Sequence, residues 1–270
     1  MDILNLENFN FSDIFGCGQC FRFNQIGEGE FEGVAHGKYL AVSQSDNKII
    51  FNTSSEDFDN IWRNFFDIDR DYKKIFTELR QDETLKLASD FCPGIRILKQ
   101  EPFECLISFI ISQNNNIPRI KKIIESLCEN FGEKIDHNEK IYFTFPKAEK
   151  IANLSLKDLE PIRAGFRAKY ILDAAKKVAS GEIDLDSVYH MSAKEGETYL
   201  SQIKGVGAKV SSCVLLFSYN KLEAFPMDVW IKRVLAKYYG DIDYMQLFGQ
   251  YAGIANAYLF YYEREKGQKL

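Results

Sequence analysis

IKGVGAK at residues 203–209, followed by PMD at residues 226–228, is the part of the sequence that decides the fold. The first stretch contains a Gly-x-Gly turn, and glycine allows both a positive φ and the close approach of a second backbone. Apolar residues then recur at the spacing of one helix face, at Val210, Cys213, Val214 and Phe217. A helix that starts at such a turn leaves backbone N–H groups open to a phosphate oxygen. The stretch therefore predicts a helical hairpin with phosphate-binding amides at Gly205 and Gly207.

Lys209 lies in the first turn of the helix that this pattern predicts. The positive end of the helix dipole disfavours a second positive charge, so the neutral amine becomes available as a nucleophile. Asp228 follows Pro226 and precedes the helical run 229–237, which is the position of an N-cap carboxylate. Lys209 and Asp228 are therefore the predicted catalytic pair.

Each of these features also has an ordinary structural explanation. A Gly-x-Gly turn is usually a tight connection between helices, a single lysine after a turn is usually a solvated surface residue, and an N-cap aspartate usually serves only its helix. Their combination within one short segment is what indicates a functional site.

The composition is that of an ordinary globular protein, with 270 residues of which 46% are hydrophobic and 27% charged. Such a chain can form one large domain or two to three smaller subdomains. The net charge of −5 argues against a protein that coats nucleic acid without selectivity, although a local basic face is compatible with it. No apolar run approaches membrane-spanning length, and the start of the chain, with Asp2 and Glu7, is unlike a signal peptide.

The cysteines indicate a reducing compartment. The six are Cys17, Cys20, Cys92, Cys105, Cys128 and Cys213. Four are isolated, and most of those stand in apolar surroundings, which predicts reduced core thiols in a cytosolic protein. Cys17 and Cys20 have the spacing of a redox or zinc motif, but no second pair completes a tetrahedral site. We therefore predict no metal and no cofactor.

The N-terminal part has the pattern of a sheet. Residues 1–53 contain short alternating or apolar runs, Phe9 with Phe11 among them, which are separated by Gly, Asn, Ser and Asp. These runs predict antiparallel strands. From Ser55 the apolar spacing becomes helical, and after about residue 90 the chain reads as wholly helical apart from its connections.

The predicted fold class is α+β, with an N-terminal antiparallel sheet subdomain and two helical subdomains. The predicted divisions are 1–90 for the sheet with flanking helices, 91–225 for the helical subdomain that carries the hairpin, and 226–270 for the helices that complete the second helical subdomain. The active site is expected in the cleft between the helical subdomains.

Taken together, the hairpin, lysine, following helix, proline and aspartate resemble the helix-hairpin-helix Gly/Pro…Asp superfamily of DNA glycosylases. The resemblance is closest to the 8-oxoguanine DNA glycosylase/AP lyase family and extends over nearly the whole chain. It implies base-excision repair in which Lys209 forms a Schiff base with the sugar, the oxidised base leaves, and the strand is cleaved by β-elimination. It further implies damaged double-stranded DNA as the partner, a monomer, and a cytoplasmic location, at the nucleoid of a bacterium or in the nucleus of a eukaryote.

The resemblance also assigns residues to the strand opposite the lesion. The segment 112–119 is similar to the one with which the family recognises the orphaned cytosine. Asn114 would enter the vacated space in the base stack, and Phe166 would act as a wedge beside it. Arg119 and Arg167 would bind the cytosine edge, because guanidinium groups donate to carbonyl and ring-nitrogen acceptors.

A second group of residues is assigned to the lesion and its phosphates. By the resemblance, the Gly18 carbonyl accepts the extra N7 proton of the oxidised base, whereas unmodified guanine has an acceptor at N7. The other residues assigned to the lesion are Cys213, Met227, Asn256 and Phe260. Those assigned to DNA phosphates are Gly205, Gly207 and Trp230.

Three positions depart from the usual pattern of the family. Asn256 stands where eukaryotic members often have Gln, Trp230 replaces a common His, and Phe166 lacks the hydroxyl of the usual Tyr. The contact with the lesion edge and the neighbouring phosphate contact are therefore expected to differ. No four-cysteine cluster follows Asp228, unlike in relatives that carry an iron–sulfur cluster.

Two other functions are compatible with parts of this pattern. A glycosylase for alkylated purines is one, but such relatives generally lack the lysine. A helix-hairpin-helix module that only binds DNA is the other, and it would explain Gly205 and Gly207 but not Lys209 together with Asp228.

Overall fold

The computed structural model describes residues 2–46, 48–240 and 243–268. An antiparallel sheet of five strands occupies the N-terminal part, in the order β1-β5-β4-β3-β2. Its strands are β1 (Asp2–Asn5), β2 (Phe23–Gly27), β3 (Glu30–Ala35), β4 (Lys38–Ser45) and β5 (Lys48–Asn52). A separate two-stranded hairpin consists of β6 (Lys134–His137) and β7 (Lys140–Phe143). The predicted α+β class is confirmed.

Helices make up most of the remaining chain. They are α1 (Phe11–Gly16), α2 (Ser55–Asp57), α3 (Arg63–Phe65), α4 (Tyr72–Leu79), α5 (Glu83–Phe91), α6 (Pro102–Ser112), α7 (Ile117–Phe131), α8 (Ala148–Ala152), α9 (Ala168–Ala179), α10 (Ala193–Leu200), α11 (Ala208–Phe217), α12 (Val229–Tyr238), α13 (Tyr244–Phe248) and α14 (Ala252–Gln268). None of the helices in the described part of the chain has both the length and the apolar character needed to cross a bilayer.

The strand predicted around Phe9 and Phe11 is wrong, because α1 begins at Phe11. The side chain of Asn10 caps this helix and accepts a hydrogen bond of 3.1 Å from the backbone N–H of Asp13. Phe11 and Phe15 lie on its buried face at helical spacing, with ring centroids 5.8 Å apart. The N-cap at Asn10 and the four-residue spacing of Phe11 and Phe15 thus favour a helix over the strand that the alternation of Phe9 and Phe11 indicates.

The expectation of a wholly helical chain beyond residue 90 is wrong at the β6–β7 hairpin. Asn138 and Glu139 connect the two strands, and both have positive φ, 47° and 64°. Two such residues form the tight turn whose twist matches that of antiparallel strands.

The interior consists of two hydrophobic clusters. One lies against the sheet and is rich in phenylalanine, whereas the larger one joins the helices. Cys17 and Phe21, in the loop between α1 and β2, belong to the larger cluster. This loop therefore anchors the sheet subdomain in the helical core. The divisions at 90/91 and 225/226 stay predictions.

Gln19 holds this loop in place through a buried network. Its side-chain amide donates to the carbonyls of Ile14 (3.0 Å) and Arg96 (2.8 Å), and its Oε1 accepts from the backbone N–H of Leu98 (2.9 Å). The residue is fully buried, so no water replaces these partners. Gly18, the predicted lesion contact, is thereby fixed between two buried neighbours.

We predict that Gln19→Met, which preserves volume and removes the polar atoms, lowers the free energy of unfolding by about 3 kcal/mol or more. The Arg96 carbonyl and the Leu98 N–H would lose their side-chain partner, at about 1–3 kcal/mol for each, and the Ile14 carbonyl would keep only the weaker bond from the Cys17 thiol. Urea denaturation measures the loss. The exposed Gln25 provides the control, since Gln25→Met should change stability by less than about 0.5 kcal/mol. Equal effects of the two substitutions would contradict the importance of the network.

Glu104 is a buried carboxyl at the start of α6. Burial raises its pKa to about 7, and the guanidinium of Arg22, with an Nη1–Oε2 distance of 3.9 Å, opposes that shift. Between the pKa of the unfolded chain, near 4.5, and about 7, the folded protein retains a proton that the unfolded chain has lost. Stability contributed by this group is therefore complete at low pH and falls as pH rises through this window.

We predict that Glu104→Gln removes this part of the pH dependence, because an amide imitates the protonated carboxyl at every pH. The contribution of one such group amounts to at most about 1.4 kcal/mol per pH unit. Urea midpoints at pH 5, 6, 7 and 8 test it, with exposed Glu129→Gln as the control. Parallel curves for Glu104→Gln and the unmodified protein would refute the assignment.

Candidate active site

The predicted helical hairpin is present between α10 and α11. Ile203 and Val206 are buried, and the backbone N–H of Val206 donates to the Ile203 carbonyl at 3.0 Å. Gly205 has a φ of +83°, and a methyl group there would lie 2.4 Å from the ring of Tyr170. Gly207 is exposed and extended, with open space around it, and caps α11. Ile203 and Val206 therefore anchor the turn, in which Gly205 packs against Tyr170 and Gly207 faces solvent.

Lys209, the predicted nucleophile, is the second residue of α11 and is half-buried. Its Nζ lies 3.5 Å from Ser112 Oγ and 5.0 Å from the ring centroid of Phe109. Its charge also acts on the thiol of Cys213, where burial raises the pKa and this charge lowers it. None of the ion pairs among the described residues involves Lys209, so neutral groups surround the amine.

Asp228 is the N-cap of α12, as predicted. Its Oδ1 accepts a hydrogen bond of 2.8 Å from the backbone N–H of Ile231. Burial raises the pKa of the Cys213 thiol, the charge of Lys209 opposes this, and the charge of Asp228 adds to it. The charges of the amine and the carboxylate thus both act on this sulfur, and no ion pair in the described structure joins the two groups. A raised pKa keeps this thiol protonated and unreactive.

The segment before Asp228 is held by α14. Asn256 is buried, and its Nδ2 donates to the Pro226 carbonyl at 3.0 Å. Earlier on the segment, the backbone N–H of Gly253 donates to the Leu222 carbonyl at 2.7 Å. The Asn256 side chain thus faces the catalytic segment with its nitrogen engaged, which leaves Oδ1 for the predicted lesion contact.

Gly18 and Phe260, both assigned to the lesion, are neighbours. Gly18 has a φ of +81°, and a methyl group there would lie 3.3 Å from Cε1 of the Phe260 ring. Arg264, which we did not predict, donates from Nη2 to the Gly16 carbonyl at 2.6 Å, and its guanidinium carbon lies 5.3 Å from the Phe260 ring centroid. The sequence signal that could have identified Arg264 is its position one helical turn after Phe260, on the same face of the helix.

Phe166, the predicted wedge, is 49% exposed, which is unusual for a phenylalanine in a well-packed domain. It lies in the short helical turn Gly165–Arg167 that precedes α9. Tyr170 meets its ring edge-on, with centroids 6.1 Å apart, and the Arg167 guanidinium carbon lies 4.4 Å from the same ring. Tyr170 and Arg167 therefore pack against the Phe166 ring, and the rest of the ring is exposed to solvent.

Arg167 differs from the expectation that its guanidinium is free to bind cytosine. It is 2% exposed and donates from Nε to the Gln113 carbonyl (2.9 Å), from Nη2 to the carbonyls of Gln113 and Asn114 (2.8 Å to the latter), and from Nη1 to the Ala164 carbonyl (3.3 Å). Burial lowers its pKa, and the charge of Arg119 adds to this effect. Neither arginine pairs with a carboxylate among the described residues. A cytosine contact by Arg167 therefore requires these carbonyls to share its N–H groups.

The three asparagines after α6 have separate roles. Asn114 is exposed at a φ of +47°, as expected for a residue that projects from a turn. Asn115 donates from Nδ2 to the Ile111 carbonyl at 3.1 Å, and Asn116 caps α7 through the backbone N–H of Arg119 at 3.0 Å. Two of the three thus shape the turn that presents Asn114.

Met227 and Trp230 lie on either side of Asp228. Both are half-buried, and Met227 packs against the helical core. Trp230 is the second residue of α12, and its ring centroid lies 5.4 Å from the guanidinium carbon of Arg233. The predicted phosphate contact at Trp230 would therefore combine an indole N–H with a nearby positive charge.

The described residues contain no group of three or more His, Cys, Asp or Glu side chains arranged to hold a metal ion. Cys17 and Cys20, whose spacing resembles that of a metal motif, are separate buried thiols. Burial raises the pKa of the Cys20 thiol to about 11, so it is protonated at neutral pH.

We predict that Gly205→Ala and Gly207→Ala separate folding from binding at the hairpin. At Gly205 the added methyl meets a positive φ and the Tyr170 ring, so the free energy of unfolding should fall by about 2 kcal/mol or more. At Gly207 the methyl has open space, so stability should be maintained. DNA affinity should nevertheless fall, because the methyl obstructs close approach of a phosphate.

Thermal melting and fluorescence anisotropy with a short labelled duplex measure the two effects. An unchanged duplex affinity for Gly207→Ala would show that the exposed face of the hairpin does not contact DNA.

Comparison with known proteins gives two consecutive family matches. Residues 3–106 match the N-terminal domain of 8-oxoguanine DNA glycosylase, and residues 107–246 match the HhH-GPD superfamily of base excision DNA repair proteins. A probable N-glycosylase/DNA lyase of Methanothermobacter thermautotrophicus is 29% identical over 231 residues, which are 75% of this chain and 73% of that protein.

Two solved structures are similar along almost their whole length. MBOgg1 in complex with a low affinity DNA ligand is 43% identical, with a TM-score of 0.95 and coverage of 98% of this chain and 96% of that one. The 8-oxoguanine glycosylase/lyase of Clostridium acetobutylicum, in complex with dsDNA containing cytosine opposite 8-oxoG, is 41% identical, with a TM-score of 0.93 and coverage of 98% and 95%. The hairpin with its lysine, the capping aspartate and these matches agree, and the chain belongs to the 8-oxoguanine DNA glycosylase family within the HhH-GPD superfamily.

Proposed function

We propose that this protein removes 8-oxoguanine from duplex DNA and then cleaves the strand at the abasic site, with Lys209 as the nucleophile. The observation that carries the proposal is the placement of Lys209 and Asp228 at the starts of two helices, from which both charges act on the buried thiol of Cys213. The substrate of the protein is damaged double-stranded DNA, and the protein binds it as a monomer. It acts where chromosomal DNA lies, at the nucleoid of a bacterium or in the nucleus of a eukaryote.

The first step is displacement of the base at C1′ of a nucleotide that has been flipped out of the helix. The neutral Lys209 amine forms a bond to C1′, and the electrons of the glycosidic bond leave with the base, which takes up a proton. The Asp228 carboxylate stabilises the positive charge that develops on the sugar. Because the described structure gives the ammonium no carboxylate partner, loss of its proton breaks no ion pair.

The second step starts from the aminal at C1′. The sugar ring opens to a protonated Schiff base between Lys209 and C1′, which acidifies the C2′ protons. Removal of one of them expels the 3′ phosphate by β-elimination. Hydrolysis of the Schiff base then frees the lysine, so no redox partner is required.

The lesion would bind between Phe260 and Cys213, with its N7–H directed to the Gly18 carbonyl. Unmodified guanine has an acceptor at N7 and would place two acceptors face to face. The contact of Gly18 with Phe260 supports this arrangement, because it puts the carbonyl loop beside the stacking ring. Asn256 Oδ1 is the acceptor available for the N1–H and N2–H groups of a guanine edge.

The opposite strand would be held by Asn114, Phe166 and the two arginines. The exposed ring of Phe166, the exposed Arg119 and the buried Arg167 form a site suited to an orphaned base, and neither arginine has a carboxylate partner in the described structure. The hairpin amides of Gly205 and Gly207 add phosphate binding without cationic side chains.

We predict that borohydride traps a covalent adduct between the protein and a duplex that carries 8-oxoguanine opposite cytosine. Lys209→Gln should abolish trapping. Lys204→Gln, an exposed hairpin neighbour, should trap within about twofold of the unmodified protein. Gel electrophoresis of labelled DNA measures both, and undiminished trapping by Lys209→Gln would refute the proposed nucleophile.

We predict that Asp228→Asn lowers the single-turnover rate of base release by about 100-fold or more, because the charge at the sugar is removed. Asparagine caps helices as well as aspartate, so thermal stability should change little. A stable Asp228→Asn protein that retains full activity would eliminate the carboxylate from the mechanism.

A further inference from the structure

Ser112, the last residue of α6, lies between the amine of Lys209 and the turn that presents Asn114. Its hydroxyl donates to the Phe109 carbonyl at 2.8 Å, which commits its proton. Only its lone pairs then remain for Lys209 Nζ, 3.5 Å away. Ser112 therefore acts as an acceptor for the amine, and its position influences where the amine lies.

The next residues of the chain are held by Arg167. Its guanidinium binds the carbonyls of Gln113 and Asn114, and the Ala164 carbonyl on its own side. Arg167 is buried and lies close enough to Arg119 to sense its charge, without a carboxylate partner among the described residues. Its charge is thus balanced by neutral carbonyl dipoles, which a ligand with stronger acceptors can replace.

The two sets of contacts lie on consecutive residues of the chain. The carbonyl that Arg167 binds belongs to Gln113, the residue that follows Ser112. A shift of this carbonyl reaches the Ser112 side chain through covalent geometry and the end of α6. The opposite-strand site and the catalytic amine are therefore connected through Arg167, Gln113, Ser112 and Lys209, in that order.

We propose that Ser112 is a positioning residue that couples recognition of the base opposite the lesion to placement of the Lys209 amine. The inference rests on the proposed function. Cytosine offers two acceptors, O2 and N3, to the N–H groups that bind the carbonyls of the turn. Adenine offers one acceptor, N1, beside a donor amine, so Arg167 cannot adopt the same arrangement. The base opposite the lesion thereby changes the hydrogen bonds from Arg167 to the carbonyls of the turn. Through Ser112, this changes the position of the Lys209 amine.

A comparison with Ser180 tests whether the role of Ser112 is purely structural. Ser180 ends α9 with the same local bond, from its hydroxyl to the Lys177 carbonyl at 3.2 Å. Ser180→Ala removes that bond at an exposed site outside the candidate active site. Loss of a helix-end hydroxyl can thus be compared with and without a neighbouring amine.

The test is the single-turnover rate of base release at saturating enzyme, for 8-oxoguanine opposite cytosine and opposite adenine. We expect Ser112→Ala to slow the reaction about tenfold opposite cytosine and less than threefold opposite adenine, so that the ratio of the two rates falls. Duplex affinity should stay within about twofold. Ser112→Thr, which keeps the hydroxyl, and Ser180→Ala should both keep the ratio of the unmodified protein.

An equal slowing on both duplexes, or an unchanged ratio, would overturn the coupling. If Ser112→Ala does not fold, as judged by circular dichroism, Ser112→Cys gives the same test, because a thiol of similar size is a weaker acceptor. Failure of the unmodified protein to release the base or to be trapped would overturn the proposed function instead. The two proposals are therefore tested by separate measurements.

Discussion

The site depends on two helix starts that approach one buried thiol. The start of α11 brings Lys209 and the start of α12 brings Asp228, and the Cys213 sulfur senses both charges. Burial raises the pKa of that thiol and keeps it neutral, and no ion pair in the described structure joins the amine to the carboxylate. Lys209 Nζ instead faces the Ser112 hydroxyl and the Phe109 ring, so an electrophile that approaches it would not have to displace a carboxylate.

One face of α14 determines both sides of the proposed lesion pocket. Gly253 and Asn256 hold the segment that carries Asp228, and Phe260 and Arg264 lie against the loop that carries Gly18. These four residues recur at intervals of three or four, so they share a single face of the helix. The distance between the loop that carries Gly18 and the Asp228 carboxylate is thus set by the geometry of one helix. A pocket built in this way resists small displacements of either loop.

Features that depend on a few neighbouring residues could be predicted from the sequence. The cap at Asp228 and the Gly205 turn follow from local backbone chemistry, and the structure has both. The long-range bonds of Gln19 and Arg167 could not be predicted, because the partners in those bonds are 77 to 79 and 53 to 54 residues away. The strand predicted at Phe11 is wrong for a different reason. Phenylalanines in this segment fit both the strand period and the helix period, and the N-cap at Asn10 favours the helix.

The acidic character of the chain is compatible with DNA binding because charge acts locally. Salt screens exposed charges over about 10 Å, so a net charge of −5 spread over the surface has little influence on a phosphate held at the hairpin. In the proposed complex, backbone amides at Gly205 and Gly207 would attract that phosphate through fixed dipoles. At the proposed opposite-strand site, Arg119 and Arg167 lack carboxylate partners among the described residues, so no carboxylate neutralises their charge. The burial of Arg167 weakens screening there, which makes this position sensitive to the acceptors of the base it meets.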